Sequence, residues 1–459
     1  MIKKRITCIM FIWFIAFSCS LCFAESYEKI SESGFGNIDN RYAWAMCKFT
    51  PDTGDDAGRT FLYVGTRNKE LNEERDGAGE LHRMDIETEE WEAVTTTGFG
   101  NKSNKGIRNL IVYENKYGKA LYAGTFNFLL GAQVWRSYDG MEWKQINISE
   151  FERFTFTGSC GTRGMAVING DLYVGTANDF FMSLEAPALY RFREKRDFSG
   201  RMRKAESWKP VISAWDPIAW SQKAFADIVQ FTDVHGETRI YVTTWSCWKG
   251  AQRKGAKIFA SKTGDRFTWS CVMENGFGNK ENIGILSVIE YNGYLYCSAG
   301  NAETGCSLYR SNDPGNSDSW EQIILNPGLF EELIAKYDFG KYEDIEIEDA
   351  EGLGYGPMSR YVWSMAEKDG DLYITTYNPP ADLLPDSLKG AFIYKYSESD
   401  DSWTQILGHQ AFVLGGFNDE VNVGIRSALL IDDTLYFGTA TPVEDIGEQH
   451  GCEIWKMTE

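Results

Sequence analysis

The stretch Leu62-Tyr63-Val64-Gly65-Thr66, "LYVGT", decides the fold because the chain keeps returning to it. It recurs as "LYAGT" at 121–125, "LYVGT" at 172–176 and "LYFGT" at 435–439, with looser copies "IYVTT" at 240–244, "LYCSA" at 295–299 and "LYITT" at 372–376. A constant motif at uneven intervals marks one repeated structural unit whose loops vary in length. Upstream of each copy lies an alternating apolar run such as "GIRNLIVY" at 106–113 or "GIRSALLI" at 424–431. Downstream comes a second run ("QVWRS" at 133–137, "SLYRS" at 307–311), then a short Trp-x-x-Ile/Val element such as Trp143 to Ile146. Period-2 alternation, β-branched and aromatic residues, and Asn-Gly turns at 169–170 and 292–293 read as antiparallel strands.

Four strands per unit and seven units predict an all-β chain: a seven-bladed β-propeller of four-stranded antiparallel blades. The blades are expected at about 41–94, 104–146, 160–211, 224–272, 282–323, 359–406 and 422–456. The last unit lacks its outer strand, and "SYEKI" at 26–30 aligns with "EWKQI" at 142–146. The N-terminal strand is therefore expected to complete the last blade, closing the ring and removing two open edges. Residues 326–358, with the acidic "YEDIEIEDAEG" at 342–352, read as an insertion between blades; its carboxylates lack calcium-loop spacing, so no metal is assigned.

A second repeat is "GFGN", at 34–37, 98–101 and 276–279, with a damaged copy "GGFN" at 415–418. A phosphate cradle needs a helix behind it to aim N–H groups at the anion, and here a strand follows. The motif reads as a seam where the chain turns from rim to centre.

Residues 1–24 have a basic start (Lys3, Lys4, Arg5), an apolar run from Ile6 and a small residue, Ala24, at the end. This pattern predicts a secretory signal peptide, an uncleaved anchor being the alternative. Without it the chain carries 43 basic against 66 acidic residues, a net charge of −23. Such a field argues against nucleic acid or anionic lipid as partner, and an extracytoplasmic location follows from the leader. Seven scattered cysteines remain, with no CxxC pair, so zinc is not expected. Cys297 and Cys306, flanking a short turn, are the candidate disulfide.

The turns "SYDGMEW" at 137–143 and "SNDPGNSDSW" at 311–320, with "SKTGDRFTW" at 261–269 as a degenerate third, resemble the Asp-box or BNR repeat of sialidase-like β-propellers. The resemblance implies a structural hairpin in which the carboxylate caps turn N–H groups while the tryptophan packs between sheets. It reaches the fold only: the Arg-Ile-Pro motif of sialidases is absent, and six blades rather than seven are typical of them. Three arginines do recur at one repeat position, Arg108, Arg163 and Arg426, where other units carry Trp44, Ala226, Leu286 and Trp363. Placed on one arc of the central opening, they would converge on an anion; the alternative is that they hold blades in register. Asp227 is the positional candidate for an acid.

The asparagines after the second strand (Asn68, Asn127, Asn178, Asn301, Asn378) share that face, as ligand contacts or as turn caps. Residues that break the repeat are better pointers: Trp245 and Trp248 in unit four, with Trp44 and Trp363. Exposed aromatics beside amide and guanidinium donors suit a sugar or peptide, though core filling explains them equally. No catalytic or cofactor motif is present. The expectation is an exported binding module for a glycan, peptide or protein. The alternatives are a sialidase-like glycan hydrolase using the arginines and a structural cell-surface component.

Overall fold

The structure is a computed structural model, and it describes residues 25–69, 77–127, 129–147, 159–178, 187–246, 254–301, 305–323, 361–378, 389–399, 401–408, 411–442 and 449–458. The expected signal peptide at 1–24, the expected insertion at 326–358 and Trp248 lie outside these residues. None of the described helices is long and apolar enough to cross a membrane.

The described chain is nearly all β. After β1 (Ser26–Lys29), strands follow in antiparallel meanders, each opening on a strand that pairs with the LYxGT strand behind it. Unit 1 holds β2 (Asn40–Phe49), β3 (Phe61–Asn68), β4 (Leu81–Asp85) and β5 (Trp91–Thr95). Unit 2 holds β6 (Gly106–Asn115), β7 (Gly118–Phe126), β8 (Val134–Ser137) and β9 (Lys144–Gln145). Unit 3 holds β10 (Gly161–Ile168), β11 (Asp171–Ala177), β12 (Leu189–Phe192) and β13 (Trp208–Ile212). Unit 4 holds β14 (Gln222–Thr232), β15 (Thr238–Ser246), β16 (Ile258–Ser261) and β17 (Ser270–Met273). Unit 5 has an interrupted first strand, β18 (Asn282–Gly284) and β19 (Val288–Tyr291), then β20 (Tyr294–Asn301), β21 (Ser307–Ser311) and β22 (Glu321–Ile323). Unit 6 holds β23 (Tyr361–Lys368), β24 (Asp371–Tyr377), β25 (Ile393–Ser397) and β26 (Ser402–Leu407). Unit 7 holds β27 (Gly424–Ile431), β28 (Thr434–Ala440) and β29 (Ile454–Thr458). β1 pairs antiparallel with β29, from Ser26 opposite Thr458 to Lys29 opposite Trp455.

Every letter of LYxGT has a physical task. Leu62 and Val64 point to one side of their sheet, into a core shared with Ile431, Tyr436 and Ile454 of unit 7. Tyr63 points to the other side, into a core shared with Ile107 and Leu121 of unit 2. Alternation along the strand thus feeds two cores at once. The core is accordingly a series of layers between neighbouring sheets. Gly65 is required because the next unit's first strand comes so close: a Cβ there would stand 2.6 Å from the carbonyl oxygen of Ile107. Where threonine replaces this glycine, its hydroxyl bonds that neighbouring carbonyl instead, Thr243 to Ile285 at 2.8 Å and Thr375 to Ile425 at 3.0 Å. The last threonine accepts the N–H that opens the third strand: Thr66 from Glu80 at 2.9 Å, Thr125 from Gln133 at 3.0 Å, Thr439 from Glu453 at 2.8 Å.

The GFGN segment is a clasp. Its first glycine and its phenylalanine both lie in the left-handed region, as at Gly276 (φ 58°) and Phe277 (φ 60°), and the next residue, Gly278, does too (φ 88°). The carbonyl of the first glycine accepts the side-chain amide of an asparagine six residues on: Asn40 at 3.0 Å, Asn104 at 2.8 Å, Asn282 at 2.9 Å and Asn422 at 3.1 Å. The turn aims the phenylalanine at a ring on the third strand of the preceding or following sheet: Phe277 stacks on Tyr309 at 4.0 Å and Phe417 on Trp455 at 4.6 Å. The damaged copy is the same turn shifted by one residue, Gly416-Phe417-Asn418, with Asn418 (φ 65°) in place of the second glycine.

At 137–143 the Asp139 carboxylate accepts the N–H groups of Met141 at 2.9 Å and Glu142 at 2.8 Å and the Ser137 hydroxyl at 2.9 Å, a capped hairpin turn. The candidate disulfide does not form. Cys297 and Cys306 are both free thiols. Cys297 faces the layer shared with unit 4, while Cys306 faces the layer shared with unit 6. The two sulfurs sit on opposite sides of the sheet, so the closeness of their positions in sequence brings no bond.

Candidate functional site

The first strand of each unit departs from regular pairing at a shared repeat position, and those of units 1 and 4 do so a second time nearer their start. An extra residue or pair is left over between Ala43 and Ala45, Ile107 and Asn109, Thr162 and Met165, Phe225 and Ile228, Val362 and Ser364, and Ile425 and Ser427. In unit 5 the strand is interrupted between Gly284 and Val288. A bulge re-aims the side chain it frees. The freed residues are Trp44, Arg108, Arg163, Ala226 with Asp227, Trp363 and Arg426, and Leu286 lies in the interruption. The repeat position read from sequence is thus a row of bulges.

Single bridges tie the ends of most LYxGT strands to the next unit's first strand: Arg67 opposite Gly106, Phe126 opposite Gly161, Ala177 opposite Ala224, Trp245 opposite Gly284, Tyr377 opposite Gly424. Tyr42 of unit 1 bridges Ala440 of unit 7 in the same way. These bridge residues stand beside the bulge residues and complete the cluster.

The arginines are laid on aromatic faces. The Arg108 guanidinium carbon lies 4.7 Å from the centre of the Trp44 ring, Arg163 lies 4.1 Å from Trp245, and Arg426 lies 5.2 Å from Trp363. Arg67 spans Tyr42 at 4.9 Å and Trp44 at 5.6 Å. The rings themselves interlock, Trp363 stacking on Tyr377 at 4.4 Å and standing 5.8 Å from Tyr42. The tryptophan of one unit packs on the glycine of the following unit's Gly-Ile-Arg. A Cβ at Gly106 would stand 2.4 Å from Trp44, and one at Gly424 would stand 2.1 Å from Trp363. Glycine admits the ring, and the arginine two residues on then covers it.

Burial orders the candidates. Arg108, Arg163 and Trp44 are buried; Arg67, Asp227, Trp245, Trp363 and Arg426 are half-buried. Arg426 and Asp227 keep some solvent access although protein surrounds them closely. Burial, then repulsion from Arg108 and Arg67, pulls the Arg426 guanidinium down to about 9, with Tyr42 and Asp227 opposing. Burial pushes the Asp227 carboxyl up to about 6 against the N–H bonds it accepts from Ile228 at 2.8 Å and Val288 at 2.9 Å and the attraction of Arg426. Residues from units 1, 2, 4 and 7 therefore share one electrostatic neighbourhood.

The asparagines belong elsewhere. Asn127 is fully buried, donating to Asn104 at 2.8 Å and accepting the N–H of Leu130 at 2.8 Å. Asn378 donates to the Gly390 carbonyl, and buried Asn178 gives its backbone N–H to Lys223 at 2.7 Å. Asn127 and Asn378 tie the chain at the end of their strands through side-chain hydrogen bonds, as turn-capping residues do. Arg67 was not singled out from the sequence. Its signal is that "GTRN" at 65–68 alone puts a cation before the asparagine. Among the described residues, no tyrosine–carboxylate hydrogen bond lies beside the arginines.

No protein-family model matches the chain, and no curated protein matches it. Solved structures resemble it loosely. The Trypanosoma rangeli sialidase in complex with sialic acid is 12% identical at a TM-score of 0.40, covering 94% of this chain and 58% of that one. An arginine triple mutant of AofleA from Arthrobotrys oligospora is 11% identical at 0.41, covering 83% and 88%. The alpha-L-arabinofuranosidase of Fusarium graminearum, with arabinobiose, is 10% identical at 0.40, covering 78% and 93%. The chain spans less than two thirds of the sialidase.

Proposed function

We propose that this chain is an exported seven-bladed β-propeller, closed by its N-terminal strand in the last blade, that binds a glycan, peptide or protein ligand at the mouth of its central channel. The pairing of β1 with β29 and the bridge from Tyr42 to Ala440 support the closed ring. One observation carries the binding reading: half-buried Trp363, Trp245 and Arg426 meet at the row of bulges, with aromatic faces and guanidinium donors side by side. Aromatic faces take the apolar side of a sugar or side chain, and the guanidiniums supply direction. Bulges are the device by which a regular strand offers a side chain to something outside its sheet.

The test is a glycan and peptide array probed with the chain from residue 25 onward, followed by titration of each captured ligand against Trp363→Ala and Arg108→Ala. Capture that weakens at least tenfold in Trp363→Ala, in a protein whose circular dichroism is unchanged, is the expected result. A ligand held equally well by both variants places binding elsewhere and ends this reading.

A further inference from the structure

Among the described residues Arg67 and Arg426 carry positive charges that no carboxylate pairs with directly, whereas Arg108 and Arg163 have further partners of their own. Asp227 is the described carboxylate that acts on Arg426. The protein around them is strongly acidic, at −20 over the whole sequence. Unpaired guanidiniums held half-buried in the protein are costly unless they receive counter-charge. Asp227 supplies only part, since its two oxygens are already occupied by the N–H groups of Ile228 and Val288.

Two of the guanidiniums are left unsatisfied. Among the described residues Arg426 makes neither hydrogen bond nor ion pair, and its contact is the Trp363 face. Arg67 likewise has only its rings, and its Nε is buried without an acceptor. A stacked guanidinium keeps its edge, where all five N–H groups lie, free for an acceptor in the ring plane. Elsewhere in the molecule arginines close on carboxylates, as Arg136 does on Glu194 at 2.9 Å and Arg191 on Asp265 at 2.9 Å. The cluster departs from this habit at the place where solvent can enter.

We propose that the cluster is an anion site, in which Arg426 and Arg67 hold a compact oxyanion group (a carboxylate, sulfate or phosphate) and Asp227 is the resident counter-charge that sets its strength. This rests on the binding reading only in using the same opening. The anionic group can be free in solution or carried on a larger ligand. Arg108 and Arg163 add field from their buried stacks. Burial of Asp227 supports a dependence on pH: protonation near 6 removes the carboxylate charge facing Arg426. The other groups around that pair are Arg108, Arg67, Tyr42 and Cys297.

The experiment is calorimetric titration at constant ionic strength with sodium sulfate, glucuronate and glucose. The proteins are wild type, Arg426→Gln, Arg67→Gln, Arg426→Lys and Asp227→Asn, with unfolding temperature as the fold control. Saturable sulfate or glucuronate binding is expected, with glucose at least tenfold weaker. Arg426→Gln loses tenfold or more, Arg426→Lys loses less, and Asp227→Asn tightens severalfold and no longer responds to pH between 7.5 and 5.5. Sulfate and glucuronate binding equally marks a free-anion site, and glucuronate binding more tightly marks an anionic group on a larger ligand. The proposal is overturned if neither anion binds, or if a folded Arg426→Gln binds as wild type does. A neutral array ligand displaced by neither anion overturns it while leaving the binding module intact; anion binding with an empty array does the reverse.

Discussion

The packing of Trp363 on Gly424 is the joint on which the site is built, and a double-mutant cycle tests it. A methyl group at Gly424 would stand 2.1 Å from one ring carbon of Trp363 and 2.8 Å from another. The ring has nowhere to retreat. It is stacked on Tyr377 at 4.4 Å and 24°, and it carries Arg426 on its face. Gly424→Ala would ordinarily gain about 0.4–1 kcal/mol by restricting the unfolded chain. Overpacking costs about 1–3 kcal/mol, so a net loss of about 1–2 kcal/mol is expected. Trp363→Ala forfeits an aromatic pair at about 0.5–1.5 kcal/mol and a cation–π contact at about 0.5–1 kcal/mol, besides buried area. Combined, the alanine methyl enters the space the ring has left. The double variant should therefore be more stable than the sum of the singles by about 1–3 kcal/mol. Urea unfolding followed by circular dichroism measures all four corners. Additivity within about 0.5 kcal/mol refutes the contact, and with it the explanation of why Gly-Ile-Arg begins with glycine.

Three further outcomes follow from the same structure. Phe277→Ala, which removes a ring stacked on Tyr309 and set edge-on to Trp320 at 5.1 Å, is expected to cost about 3–4 kcal/mol in urea unfolding; a loss under 1 kcal/mol would mean the GFGN turn holds without its ring. His450 donates its Nε2–H to the Asp419 carboxylate at 2.9 Å beside Glu453, and against the lowering effect of burial this partner raises its pKa above the ordinary 6.5. Its contribution to stability is therefore fully present below pH 6.5 and lost as pH rises through the raised folded-state value. The gap between wild type and His450→Gln should shrink along that path in pH-dependent unfolding, and a gap that widens contradicts the pairing. Unfolding without reductant in the presence of iodoacetamide should alkylate both Cys297 and Cys306, read by peptide mass spectrometry; an intact Cys297–Cys306 cross-link would contradict their placement on opposite sides of the sheet.

What was legible in the sequence was whatever one strand enforces locally. Leu62, Tyr63 and Val64 alternate because a strand alternates, and the units could be marked from that alone. The seam reading of GFGN also stands, since a strand follows each copy, but its chemistry was hidden. The asparagine that receives the glycine carbonyl is six residues away, and the ring that receives Phe277 is thirty-two residues away at Tyr309. The disulfide failed for a related reason. Nearness in sequence was read as nearness in space, whereas the side a residue faces in a sheet depends on the parity of its position and on irregularities in the turn between.

The site shows the same limit in sharper form. Arg108, Arg426, Trp44 and Trp363 were read as alternatives at one repeat position, aromatic in some units and cationic in others. The structure makes them partners. Trp44 belongs to unit 1 and its arginine, Arg108, to unit 2; Trp363 belongs to unit 6 and Arg426 to unit 7. The signal was present as an offset: a tryptophan at the bulge of one unit is followed by Gly-Ile-Arg in the next, at 106–108 and again at 424–426. Aligning repeats on top of one another erases such an offset, because it compares each position with its own copies and never with its neighbour in the adjacent unit. Arg67 shows what this comparison leaves out. It lies outside the bulge row, on the adjacent strand, and reaches both Tyr42 and Trp44 across the sheet. In a protein built of repeats, the residues that act together sit one unit apart, so a site must be read across neighbouring units and not down the alignment.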